Sequence, residues 1–207
     1  MATATVRAAD VSDLEGVTET LWLAFRGDPL WSWAFPEHAQ LLPFWRLLVG
    51  SALAHEWVWV LGDYAAASVW IPPGRRELSE AQEAQASTLL DALLGERADE
   101  VEALLERFDG AHPRSEPHFY LSLLGTHPER RGEGLGMKLL ASNLQRIDAL
   151  GSAAYLESSN PVNDRRYESV GFEPVGAFQT PDGARSVTTM WRPPAAGAGR
   201  PPASGRA

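Results

Sequence analysis

With 207 residues, 44% of them hydrophobic and 22% charged, the chain is long enough for one domain with a sizeable core and too apolar to be disordered. It has no cysteine, which excludes disulfides, thiolate metal sites and a cysteine nucleophile. No run approaches the ~18 apolar residues of a membrane span, and the opening residues lack the apolar core of a signal peptide, so a cytoplasmic protein is expected. The net charge of −9 is concentrated, since residues 77–109 hold ten acids against Arg97 and Arg107; a broad nucleic-acid-binding face is not expected, and a cationic ligand suits the balance better.

In chain order, residues 3–8 read as a short strand. Asp10 or Ser12 can cap a helix whose apolar face is Leu14, Val17, Leu21 and Ala24. The segment Asp28-Pro-Leu-Trp-Ser-Trp-Ala-Phe-Pro36, bracketed by prolines, reads as an ordered loop, and a second helix is expected over about 37–55. Residues 57–61 and 64–71 are β-rich runs around Gly62-Asp63, a hairpin signal closed by Pro72-Pro73-Gly74. Two helices are expected over about 79–94 and 97–109, broken at Gly95. Residues 118–126 form a central strand, followed by a glycine-rich turn and a helix over about 134–150. Residues 153–157 make another buried strand, 161–170 hold a short helix, and 172–178 and 186–191 form a closing hairpin around Pro181-Asp182-Gly183. The stretch 193–207, built from Pro, Gly, Ala and Arg, is expected to be a disordered tail. The element order implies a mixed α/β sheet in one domain spanning 1–192.

The strongest local feature is Arg130-Arg-Gly-Glu-Gly-Leu-Gly136, directly after a strand and directly before an amphipathic helix. Gly132, Gly134 and Gly136 let a ligand approach the backbone without Cβ obstruction. The helix start offers free N–H groups and the positive end of the dipole, and Arg131 adds formal charge, so the segment reads as a phosphate or pyrophosphate cradle. Neither common nucleotide fingerprint fits: Met137 stands where the dinucleotide motif needs its third glycine, and Lys138 lacks the preceding Gly and following Ser or Thr of a P-loop. The plainer reading is a tight turn beside a solvated charge run.

Arg131-Gly-Glu-Gly-Leu-Gly136 resembles the R/Q-x-x-G-x-G/A signature of the GCN5-related N-acetyltransferase (GNAT) family, and Asn163, Tyr167 and Gly171-Phe172 resemble that family's N-x-x-x-Y-x-x-x-G-F segment. At closer range, Trp57-Val58, Val69-Trp70, residues 121–128, Leu156-Glu157-Ser158 and Tyr167-Glu168 are similar to antibiotic-acetylating members. The resemblance implies a single-domain GNAT fold, a mixed, mostly antiparallel sheet flanked by helices, with residues 77–109 as a helical insertion. It implies acetyl-CoA as cosubstrate. Leu124, Gly125 and Thr126 would offer backbone groups to the pantetheine arm at a bulged strand edge. Arg131, Gly132, Gly134, Leu135 and Gly136 would hold the pyrophosphate, and Asn163 would reach the pantetheine or adjacent backbone.

Amine attack on a thioester needs a base for the ammonium and an acid for the departing thiolate. Tyr167, at the family position, is the candidate acid; the alternative is a tyrosine packed under the sheet. Glu157, ending its strand, is the candidate base, against a solvated or helix-capping carboxylate; His118, Glu116 or a water chain are the other sources. The acceptor would sit among Asp28, Trp31, Trp33, Phe35 and Trp70, an aromatic wall with an acid that suits a cationic or aromatic amine; core tryptophans are the competing reading. The expected function is acetylation of a small-molecule primary amine, an antibiotic or other bioactive amine by the closer resemblance. A protein N-terminal or lysine acetyltransferase and a non-catalytic acyl-CoA-binding module are the alternatives. No metal ligand set, nucleic-acid partner or membrane partner is expected, and the 77–109 helices offer either a lid or an oligomer interface, as in a homodimer.

Overall fold

The computed structural model describes residues 5–195. The strand expected over 3–8 is seen as β1, Val6–Ala8. Asp10 accepts from the Ser12 amide and opens a single 3-10 turn, in which Asp13 returns the bond to the Asp10 amide. That turn runs into α1, Leu14–Ala24. The segment read as a loop is a helix, α2, Pro29–Ala34. Asp28 is its N-cap, its Oδ1 accepting from the Leu30 and Trp31 amides at 3.0 and 3.1 Å, and Pro29 occupies the first position, where its missing N–H costs nothing. Helix α3, His38–Leu53, follows, then β2, Val58–Leu61, and β3, Ala66–Ile71.

The acidic stretch forms α4, Glu80–Leu94, and α5, Ala98–Ala111. They are no appendage: Ala86, Leu90, Ala98, Val101 and Leu104 are buried in the same cluster as α1, α3 and one face of the sheet. Strand β4, His118–Thr126, leads through the glycine-rich turn to α6, Leu135–Ala149, and β5, Ala153–Ser158. After a 3-10 turn and the short α7, Asp164–Glu168, the hairpin β6, Glu173–Gln179, and β7, Ser186–Arg192, ends the domain. Residues 196–207 of the expected tail, and residues 1–4, lie outside the described residues.

The seven strands are ordered β1-β2-β3-β4-β5-β7-β6, and β4 with β5 is the one parallel pair among them. Helix α6 packs one face with Phe119, Leu121, Ala154 and Leu156, while α1, α3, α4 and α5 cover the other. No helix among the described residues is long and apolar enough to cross a membrane.

One irregularity positions everything that follows. Val69 pairs with Leu123 but Trp70 pairs with Leu121, so Ser122 is an extra, unpaired residue in β4. Side chains alternate along a strand, and the extra residue reverses the alternation: Leu121 points toward α6, yet Leu123 points into the opposite cluster. At the same place β4 parts from β5. Their pairing ends at Leu121 with Leu156, and the next residues of β5, Glu157 and Ser158, pair only with β7.

Candidate active site

The parting of the two central strands opens a cleft of about 1710 Å³ that runs from the start of α6, through the gap, to α4 and α5. Beyond Leu121, the β4 edge that faces β5 has no strand partner, so its backbone donors and acceptors are available to an extended ligand. Leu124, Gly125 and Thr126 lie on this edge and line the cleft. Gly125 is needed there because α1 crosses close above: a Cβ at this position would stand 2.7 Å from the Ala24 Cβ. The low contact limit also applies at Gly136, whose Cβ would meet Thr126 Oγ1 at 2.7 Å.

The glycine-rich turn works differently at Gly132 and Gly134. Both take left-handed φ angles, +86° and +71°, and a Cβ at either would meet nothing within 4 Å. Their lack of a side chain therefore serves conformation and leaves open space over the first turn of α6, where the amides have no intrahelical acceptor. Leu135 and Gly136 open that turn, and Arg131 arches across from the loop, donating from Nη2 to the Ala24 carbonyl at 2.7 Å. Arg130 is instead taken by Glu133 at 2.6 Å. Amides, dipole and one guanidinium at the end of an open strand edge fit a diphosphate with an extended arm attached.

Glu157 lies where the strands part, with its side chain 2% exposed. Burial pushes its pKa up to about 8, with the Tyr120 and Tyr155 phenols acting the other way. The nearest basic group is His112 Nδ1 at 3.9 Å. That imidazole is itself pushed down to about 4, first by burial and then by His118 and Arg114, so it is neutral at pH 7. His118, weighed above as a base, is turned aside: its Nδ1 lies 2.7 Å from the Glu116 carbonyl and its Nε2 3.1 Å from His112 Nε2.

Tyr167 lines the opposite lip from α7, its ring edge-on to Phe172 at 6.2 Å. Burial, then the charges of Asp28 and Asp164, raise its pKa to about 12, so the phenol stays protonated and able to donate. Asp28 closes this side, its Oδ2 accepting from Ser159 Oγ at 2.7 Å, which ties α2 to the end of β5; burial raises its pKa as well. Asn163 lies at the same rim with its Oδ1 accepting from Arg166 Nη1 at 2.9 Å.

Three of the acceptor-wall expectations are corrected. Trp70 is fully buried beneath the sheet, its Nε1 donating to Asn143 Oδ1 at 3.1 Å, because strand alternation turns Ser68 and Trp70 toward α6 while Val69 and Ile71 face the other way. Trp33 faces away from the cleft, with the Arg97 and Arg185 guanidiniums each 5.8 Å from its ring. The reason is the helical form of α2, in which residues two apart point in roughly opposite directions; Trp31 therefore takes the cleft side, stacked with Phe108 at 6.0 Å. Phe35 is core, packed on Phe44.

Three cleft residues escaped the sequence reading: Glu77, Tyr120 and His112. Glu77 lies between β3 and α4, and its carboxylate accepts from the Ser122 hydroxyl at the bulge. The alternation of β4 marks Tyr120 as sharing a face with His118, but nothing local brings Glu77 or His112 to that face.

No protein-family model matches the chain. Solved structures do. The Corynebacterium glutamicum "histone acetyltransferase HPA2 and related acetyltransferase" is 23% identical over 93% of this chain and 97% of its own, with a TM-score of 0.65. The Drosophila melanogaster polyamine N-acetyltransferase is 19% identical over 91% and 98%, with a TM-score of 0.62. Arylalkylamine N-acetyltransferase 2 from Aedes aegypti is 16% identical over 91% and 97%, with a TM-score of 0.65. At these identities the likeness is one of architecture, and it agrees with the bulged, parted β4–β5 pair beside the glycine-rich helix start: the chain has the GNAT fold.

Proposed function

We propose that the protein is an acetyl-CoA-dependent N-acetyltransferase acting on a small-molecule primary amine. The observation that carries this reading is the unpartnered β4 edge, which runs from the open first turn of α6 to Glu157. When bound, acetyl-CoA supplies an activated thioester acetyl group; the chain's own residues do the rest. The α6 amides and Arg131 hold the diphosphate. Backbone groups of Leu124, Gly125 and Thr126 take the extended arm, and an amide of this edge polarises the thioester carbonyl. Glu157 accepts the proton of the incoming ammonium, and its raised pKa matches it to that task near neutral pH. Tyr167 donates to the departing sulfur. Asp28 and Trp31 belong to the acceptor arm.

That α4 and α5 wall the arm supports a small amine over a protein N-terminus or lysine. The similarity of residues 121–128 and 156–158 to antibiotic-acetylating proteins supports a bioactive amine within that class, and the cytoplasm, where acetyl-CoA is made, is the matching setting. Purified protein incubated with acetyl-CoA and a panel of aminonucleosides, polyamines, aminoglycosides and arylalkylamines should release free thiol with at least one class. Absence of thiol release across the panel, with acetyl-CoA binding retained by calorimetry, would favour a binding module instead.

A further inference from the structure

Two carboxylates face the cleft, Glu157 with its side chain buried and Glu77 half-buried, and among the described residues no arginine pairs with either. Glu157 has the phenols of Tyr120 and Tyr155 beside it and no cation, since its imidazole neighbour His112 is neutral. Glu77 has the Ser122 hydroxyl and no salt bridge. The guanidinium next to it in sequence, Arg76, is turned outward to Glu83 at 2.7 Å and Glu80 at 3.9 Å, and Arg75 is exposed. The two carboxylates act on a common neighbour: ionisation of the Tyr120 phenol is opposed first by burial, then by Glu157 and by Glu77. Across the cleft, α5 adds Glu102 and Glu106, and Arg114 in the same lining is taken by Asp109 at 2.5 Å. A buried carboxyl without a cation keeps its proton near neutral pH, as the raised pKa of Glu157 shows, and a cation arriving beside it favours the ionised form.

Resting on the acetyltransferase reading, we propose that the acceptor is a dication: a primary amine that presents its ammonium to Glu157, and a second ammonium or guanidinium, a few carbons away, that pairs with Glu77. Glu77 is then the residue that sets specificity. Trp31 and Phe108 give the intervening methylenes an apolar wall. The second positive charge also lowers the pKa of the reacting amine, which eases proton removal by Glu157.

The test compares kcat/KM for 1,4-diaminobutane and 1-aminobutane in wild type, Glu77→Gln and Glu77→Asp. Gln keeps an acceptor for the Ser122 hydroxyl and removes only the charge. Wild type should prefer the diamine by tenfold or more, Glu77→Gln should bring the ratio close to one, and Glu77→Asp should keep part of it. A wild-type ratio near one, or a ratio unchanged in Glu77→Gln, would overturn the dication and leave acetyl transfer standing. Thermal protection of wild type by N,N,N′,N′-tetramethyl-1,4-diaminobutane, compared with N,N-dimethylbutylamine, reads the same preference without turnover. It therefore decides the matter if Glu77→Gln fails to fold or if no amine is acetylated; equal protection by the two probes overturns the dication site.

Discussion

Glu157 is held in a state that folding alone would not choose. Its carboxyl titrates near 8 in the folded chain against an ordinary 4.5, so between those values the folded state binds a proton that the unfolded chain has released. Stability attributable to this group therefore falls as pH rises through that window. Glu157→Gln should raise the melting temperature at pH 8.5, by an amount worth up to a few kcal/mol, and leave it unchanged at pH 4. The same substitution should lower kcat/KM by about 10²–10⁴-fold, and wild-type kcat/KM should climb with pH through about 8 as the carboxylate forms. A flat profile from pH 6 to 9 would remove Glu157 from the role of base. For Tyr167→Phe, the expected result is a fall in kcat of about 10²-fold or more with coenzyme A binding intact, measured by turnover and calorimetry side by side. Glu157 and Tyr167 were legible because each stands at a recognisable place: a strand end after the signature helix, and a tyrosine four residues before Gly171. Glu77 and His112 were not, since they lie outside any motif and reach the cleft only through the long-range packing of α4 and α5. Trp33 and Trp70 were misjudged for a simpler reason. Residue type suggested a wall, while the facing of each side chain depended on a helix and a strand parity that composition does not reveal.

At the scale of elements, the sequence declared most of the strands and helices through alternation and caps. The expected boundaries of β4 coincide with the observed His118–Thr126, and those of α6 differ by a residue at each end. Helix α2 was the exception: Asp28-Pro29 is a sound helix start, but six residues rich in tryptophan and enclosed by prolines carry too little periodicity to outweigh a loop reading. The order of the sheet was not legible either, because the placing of β7 between β5 and β6 follows from non-local pairing. The glycines around α6 divide into two kinds that mutation should separate. Gly125→Ala forces a Cβ to within 2.7 Å of the Ala24 Cβ and 3.1 Å of Leu21 Cδ2, and should cost about 1–3 kcal/mol in urea unfolding. Gly134→Ala meets no neighbour, so its cost is the ~1–2 kcal/mol of a left-handed conformation, and its larger effect should be a weakened affinity for coenzyme A as the turn relaxes.

The molecule as a whole separates its charges along the cleft. Of the ten acids of residues 77–109, Glu77, Glu83, Glu102, Glu106 and Asp109 line one end of the cleft, in a chain of net charge −9, while Arg131 and the amides of α6 stand at the other. On the proposed function, this separation would draw a cationic acceptor toward one mouth and keep an anionic donor to the other. Raising salt from 50 to 500 mM should therefore increase KM for a cationic amine several-fold while leaving kcat nearly constant, since screening acts on approach more than on chemistry in a closed cleft; steady-state kinetics at two ionic strengths would read this. The extra residue in β4 has a consequence of another sort. Replacing Ser122 by alanine alters one hydroxyl, whereas deleting it would close the bulge and straighten the strand, leaving Leu121 and Leu123 adjacent and still facing opposite ways. Leu123 would then keep its place in the core and Gly125 its place under α1, while the bend at which β4 parts from β5 would be lost. The proposed site thus depends on a count of residues as well as on their kinds: deletion of Ser122 should weaken coenzyme A binding more than it weakens the fold, whereas an insertion or deletion elsewhere between 118 and 126 would turn the packed faces over.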